Sequence, residues 1–240
     1  MDEILKVYKS SNFAIIATTI IVLFFIIIVG IKLKKHDPDK PPKGILLLAE
    51  MLVSWTNGMC QEALGTRWKK FAPYVLCEGM FLFVANLSGL LGLTPPTANI
   101  CVPIALGIVT GVIMHISSIK YNGLKAYLKG FLDPIPIMLP INIFSELITP
   151  ISMGLRLFGN IFSGTVVMTL IYYVLGQIWL WVIPAGYIVT PFITPILHAI
   201  FDVFLGLIQV YVFMLLTVIF ISGKLPEDCL LYTSDAADEL

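Results

Sequence analysis

Charge is what this sequence lacks. Asp, Glu, Lys and Arg make up 12 % of its 240 residues, about half the ~25 % of an average soluble chain. That excludes a protein whose whole surface faces water. Cysteine is scarce too. Its four residues never form a CxxC pair, so neither a disulfide framework nor a zinc site is indicated. HExxH, P-loop, GxSxG and GxGxxG patterns are missing, and with them any sign of nucleotide binding or hydrolysis by this chain. No cofactor, metal or nucleic-acid partner is expected. Apolar sequence is what abounds. Hydrophobic residues reach 58 %, mean hydropathy is +0.93, and the apolar residues gather in long runs. The chain reads as an all-α integral membrane protein.

Phe13–Ile31 is 19 residues without a charge, enough to cross roughly 30 Å of hydrocarbon at 1.5 Å per residue. Lys32, Lys34, Lys35, Lys40 and Lys43 follow it. A cleaved signal peptide has its basic flank before the apolar run, so a retained span with its N-terminus outside is expected. Pro41–Gly65 mixes apolar residues with Glu50, Asn57, Gln61 and Glu62, which suits a helix lying in the cytoplasmic interface. Further spans are expected over Phe71–Leu93 and about Cys101–Ile119. The latter carries Gly107-x-x-x-Gly111, either a close-packing signature or two chance glycines. Segments 32–70 and 120–133 hold eleven of the fifteen basic residues, while the turn 94–100 holds none. The positive-inside rule makes those two segments cytoplasmic.

The last two apolar stretches are too long to stand upright. Asn142–Leu175 would reach about 51 Å as one helix and Pro184–Ile221 about 57 Å. Each must tilt steeply, lie partly along the membrane, or break, with Pro150, Pro191 and Pro195 as possible break points. Counting the outer parts of these stretches, the expected crossings are 13–31, 71–93, 101–119, 137–177 and 184–222, with an interfacial helix at 41–65. Together they make one membrane domain over 1–228. The tail from Cys229 to Leu240 resembles translated sequencing-library adaptor and is left out of this reading. Without it the formal charge is +3, from 15 basic and 12 acidic residues.

Polar groups in the long stretches fall into stripes. Asn142, Ser145, Thr149, Ser152, Arg156, Asn160 and Ser163 stay within about 80° of a helix circumference. Thr194, His198, Asp202 and Gln209 form a second stripe. Two such faces can line a hydrated path, or they can hold helices together by hydrogen bonds. Arg156 weighs toward the path. An arginine in a span costs about 2.5–3.5 kcal/mol on insertion scales, and it cannot shed its proton. It needs a carboxylate, water or both. Glu146, Asp202 and Glu78 are the candidates within the chain, and an internal pair with Asp202 would suit a free-standing ion transporter or channel; an acid on another subunit is the alternative. Glu78 and Asp202 could also exchange protons themselves, and His198, one turn from Asp202, could relay them. Glu146 lies roughly 80° around the helix from Arg156, so a shared cavity is easier than a direct pair. His115 is expected to be a packed neutral histidine.

The segment Pro150-Ile-Ser-Met-Gly-Leu-Arg-Leu-Phe-Gly-Asn-Ile-Phe-Ser-Gly164 resembles the signature of the a subunit family of F-type ATP synthases, in its bacterial form. Gln209-Val-Tyr-Val-Phe-Met-Leu-Leu-Thr-Val-Ile-Phe-Ile221 is similar to that family's last helix, and Asn86-Leu-Ser-Gly-Leu-Leu-Gly92 more weakly to its second span. The resemblance covers roughly residues 13–223. It implies a stator beside a rotating c-ring in a bacterial plasma membrane, with a subunit b peripheral stalk as a further partner and a cytoplasmic C-terminus. It also implies about five crossings and one interfacial helix, the last two crossings forming a long, tilted hairpin. Arg156 takes the place of the arginine that faces the ring carboxylate, and Asn160 and Gln209 match its polar flanks. Where the family often has an acid–histidine combination, this chain has Thr165 and Asp202. Thr165 cannot titrate, so proton acceptance on the outer side falls to Asp202, aided by His198. Glu146 and Ser152 complete the expected proton path.

Overall fold

A computed structural model describes residues 2–37, 41–91, 95–132, 136–182 and 194–226. The expected adaptor tail lies outside them, as does Pro191. Every regular element among the described residues is helical. They are α1 (Asp2–Lys34), α2 (Ile45–Leu64), α3 (Trp68–Leu87), α4 (Cys101–Asn122), α5 (Leu124–Leu132), α6 (Leu139–Val182) and α7 (Thr194–Ser222). Five helical stretches are long and apolar enough to span a bilayer: Asn12–Lys34, Ile45–Leu87, Cys101–Asn122, Pro136–Val174 and Thr194–Ser222.

Glycines make the sharp joints. Gly65 (φ 53°) ends α2 and leads through one 3-10 turn into α3, and Gly123 (φ 81°) separates α4 from α5. A side chain at either joint would be strained. The short α5 was not foreseen. Its nine residues are too few for periodicity to stand out from the surrounding lysines.

The buried core gathers one face each of α2, α3, α6 and α7. Cys60, Leu64, Val75, Leu82, Leu157, Phe213, Val218 and Ile221 are all essentially inaccessible. Ala14, Thr18 and Val22, one turn apart, form the buried stripe of α1, while Phe13, Ile20 and Phe24 point outward. Large apolar side chains thus lie on the outside, as a lipid-facing surface requires.

Close packing of α4 on α6 fixes the site's position. A Cβ at Gly111 would stand 2.5 Å from Pro150 Cγ, and one at Gly107 would stand 2.2 Å from the Pro150 carbonyl oxygen. From the other side, a Cβ on Gly154 would meet the Pro103 carbonyl oxygen at 2.7 Å. The Gly107-x-x-x-Gly111 pair is therefore a packing motif, not two chance glycines.

α6 runs unbroken for 44 residues with Pro150 inside it. Pro150 is not a break, because α4 packs closely around it; in membranes, neighbouring helices make such a proline tolerable. Pro195 falls within the helical stretch Thr194–Ser222, next to residues that lie outside the described ones. A six-residue π-helical segment, Ala199–Phe204, interrupts α7 instead.

α6 and α7 form an antiparallel hairpin. Tyr172 pairs with His198 near one end, and Glu146 pairs with Lys224 near the other. The contacts lie 26 residues apart on both strands of the hairpin, so one register holds along its length.

Candidate functional site

The polar stripe of α6 faces away from the core. Met153, Gly154, Leu157 and Met168 turn inward, whereas Ser145, Ser152, Arg156, Ser163 and Thr165 are exposed and Asn160 is half-buried. Its hydroxyls do not tie helices together. Thr149 Oγ1 donates to the Ser145 carbonyl (2.8 Å), Thr165 Oγ1 to that of Ile161 (3.0 Å), and Ser163 Oγ to that of Asn160 (3.1 Å). Each is satisfied inside its own helix. Interhelical bonding does not explain these hydroxyls.

Arg156 sits on this face with apolar neighbours, Leu155 and Ile151 among them. Two of its three candidate acids are engaged elsewhere. Glu78, 4 % exposed on α3, accepts hydrogen bonds from Tyr74 (2.8 Å) and Thr110 (3.0 Å), tying α3 to α4. Glu146 forms an ion pair with Lys224 and lies 3.4 Å from His115 Nδ1. The third, Asp202, has a side chain outside the described residues. Among the described residues, no carboxylate pairs with Arg156.

Two cavities open along the stripe, one at residues up to Arg156 and one at residues beyond it. One of about 210 Å³ lies between α6 and α7, lined by Ser145, Thr149, Ser152 and Arg156 from α6 and by Leu216 and Phe220 from α7. The other, about 70 Å³, lies farther along the hairpin among Asn86, Asn160, Gly164, Thr165 and Gly206. Arg156 lines the first and stands one turn from Asn160, which lines the second. Asn86 matters here and was not named among the site residues. Its Nδ2 donates to the Gly206 carbonyl (3.1 Å) and its Oδ1 accepts from Thr97 (3.3 Å). An asparagine in an apolar span was the available signal.

The remaining expected residues are divided. Gln209 is 7 % exposed in the α7 core, its Nε2 without a hydrogen-bond partner among the described residues. His198 Nε2 meets the Tyr172 hydroxyl at 2.9 Å. The anticipated His198–Asp202 pair falls outside the described residues. Glu146 is not beside Arg156 but at the far end of the first cavity's helix face, in a vestibule of about 560 Å³ with Arg67, Tyr121, Asn122, Tyr127 and Lys224. His115 is not an isolated packed histidine. Its Nδ1 lies 3.0 Å from the Tyr127 hydroxyl as well as near Glu146. Spacing along one helix could not reveal that, because the partners come from α5, α6 and the chain after α7.

Helices of this length and apolarity, carrying a polar face interrupted by one arginine between two cavities, define a multi-pass membrane protein of the ion-conducting class. The family profile described as ATP synthase A chain matches residues 13–222. An ATP synthase subunit a from Trichlorobacter lovleyi is 32 % identical over 95 % of this chain and 93 % of its own length. Subunits of the same name from Acidothermus cellulolyticus (33 %, covering 85 % and 74 %) and Moorella thermoacetica (29 %, covering 84 % and 86 %) are also similar. The chain belongs to the ATP synthase A chain family. Its role is that of the proton-channel stator component of the membrane sector, and a free-standing transporter is not favoured.

Proposed function

We propose that this chain carries protons through two half-channels to and from the carboxylates of a c-ring, with a subunit b stalk holding it still. The chain conducts; it does not catalyse by itself. The single observation that carries the reading is Arg156, a permanent cation on an outward face whose other polar groups are uncharged, with no acid beside it among the described residues. A guanidinium there is tolerable only if water or an acid meets it, and on this reading the acid comes from another chain. A passing ring carboxylate supplies that acid intermittently. Opposite charge favours the ionised carboxylate, so the ring group gives up its proton as it reaches Arg156. The same charge repels protons that would otherwise run straight between the half-channels. Lysine could be neutralised in such a site, whereas arginine stays charged.

Around this centre the 70 Å³ cavity with Asn86, Asn160 and Thr165 belongs to the outer half-channel, served by Asp202, His198 and Gln209. The cavity with Ser152, and Glu146 beyond it, belongs to the cytoplasmic one. Clustering of Arg67, Lys70 and Tyr121 (Lys70 Nζ to Tyr121 Oη, 3.1 Å) supports a common cytoplasmic side for the two basic segments; on this reading the N-terminus is outside and the end of α7 inside. At about 66 Å along its axis, α6 must tilt steeply to stay in the bilayer, as part of one membrane domain over 1–228.

Arg156→Ala is expected to abolish ATP-driven proton pumping in inverted membrane vesicles, and Arg156→Lys to leave it incompletely coupled. Full coupling in Arg156→Ala overturns the assignment.

A further inference from the structure

At the opposite end of α6 from the Tyr172–His198 contact, Glu146 is surrounded by groups that the proton path described so far does not use. Lys224 Nζ donates to Glu146 Oε1, while Oε2 accepts no hydrogen bond among the described residues. Lys224 is not a loose surface lysine. Its carbonyl accepts from Asn122 Nδ2 at 2.7 Å, its N–H donates to the Ile221 carbonyl at 3.1 Å, and the next residue, Leu225, is buried. The fold therefore delivers this ammonium to one place, the wall of the vestibule, beside one carboxylate.

We propose that Lys224 is a positioning residue for proton transfer at the cytoplasmic mouth, holding Glu146 ionised and aimed into the vestibule between transfers. The proposal rests on the half-channel reading above and extends it to a residue outside both polar stripes. In the uptake direction, an O–H bond of a vestibule hydronium breaks as an O–H bond forms on Glu146. The carboxyl is then neutral and Lys224 is left with a weakened partner. When the proton moves on toward the cavity at Ser152, the carboxylate and the ion pair are restored. No charge is lost in the cycle. One proton enters Glu146 and one leaves it.

Four other titratable or charged groups surround this pair. Arg67 comes from the turn between α2 and α3, with one guanidinium nitrogen buried and unpartnered. His115 comes from α4 at 3.4 Å from Oε2, and Tyr127 comes from α5 against His115. Tyr121 of α4 lies under the Arg67 guanidinium, 4.1 Å from centroid to carbon. Among the described residues, only Lys224 forms a direct ion pair with the carboxylate through a lysine or arginine. Burial pushes the Lys224 ammonium below the usual lysine range.

The test uses the complete synthase in inverted vesicles, whose outer medium is the cytoplasmic face. ATP-driven pumping per ATP hydrolysed is measured against external pH for wild type, Lys224→Met and Lys224→Arg. Removing a positive neighbour makes a carboxylate easier to protonate, by about one pH unit at the low end of the usual range for such pairs. The alkaline limb of pumping in Lys224→Met is therefore expected to move up by about that much, with Lys224→Arg restoring the wild-type limb. Asn122→Ala, which frees the Lys224 backbone, is expected to shift the limb the same way by less. A limb that stays put in both Lys224→Met and Asn122→Ala, at whatever rate, overturns the proposal. If Lys224→Met does not assemble, Asn122→Ala decides alone. Arg156→Ala in the same assay separates the two ideas. If it pumps, the half-channel reading has failed; if it is dead while the Lys224→Met limb is unmoved, only the clamp has failed.

Discussion

Glu146 and Arg156 stand ten residues apart on one helix and have opposite surroundings. Glu146 lies in a vestibule built by its own helix and four other segments, with Lys224 against one oxygen and His115 near the other. Arg156 lies on an open face with no described acid in reach. Asn122, Leu225 and the end of α7 fix a partner for the acid, and among the described residues nothing comparable is built for the arginine. On the function proposed above, that difference has a purpose. Arg156 must release what it binds, and a built-in partner would compete with anything arriving from outside.

Supplying that partner is the most direct way to break the contrast. Ser152 is one turn before Arg156 on the same stripe, and an acid four residues before a base is the favourable orientation for a helical pair. Ser152→Glu is expected to give Arg156 a permanent local carboxylate. If that pair is worth ~1.4 kcal/mol or more against the visiting acid, ATP-driven pumping falls about tenfold. Normal pumping in Ser152→Glu, with normal amounts of assembled complex, would show that Arg156 does not need to be free.

A smaller effect is expected where the fold merely aims the arginine. Gly154 is two residues from Arg156 and touches the Pro103 and Ile104 backbone. Gly154→Ala cannot be relieved by a side-chain rotation, since the obstacles are backbone atoms, so α6 must shift away from α4. Overpacking of this kind costs about 1–3 kcal/mol. The expected result is a severalfold loss of complex surviving detergent extraction. An unchanged yield with unchanged pumping would mean that α4 does not set the position of the stripe.

Much of this was legible beforehand because it follows from periodicity. The spans and the single polar stripe of α6 are consequences of 3.6 residues per turn and of the cost of charge in lipid. What could not be read is pairing between distant segments. Lys224 lies 78 residues from Glu146 and His115 lies 31 residues before it, so neither contact leaves a pattern along the chain. Nor does Asn86, which reaches a backbone carbonyl 120 residues away. The Ser and Thr hydroxyls misled in the other direction. Their spacing suggests a network between helices, yet they bond to their own backbone.

That last point sharpens the contrast at the outer cavity. Thr165 lines it, but its hydroxyl is already committed to the Ile161 carbonyl at 3.0 Å. It has a free lone pair to offer water and no proton to exchange. Asp202, which the sequence puts on the second polar stripe, is the acid proposed to accept the proton on this side. Asp202→Asn is therefore expected to slow ATP-synthesis-direction proton uptake severalfold, whereas Thr165→Val, which removes only a satisfied hydroxyl, should change it less than twofold, about the worth of one exposed hydrogen bond. Both rates can be read from passive proton flux through membranes stripped of the catalytic sector. Equal or reversed effects would take Asp202 off the path and make the outer cavity a water channel without an acid, leaving Arg156 to face protons delivered directly from solvent.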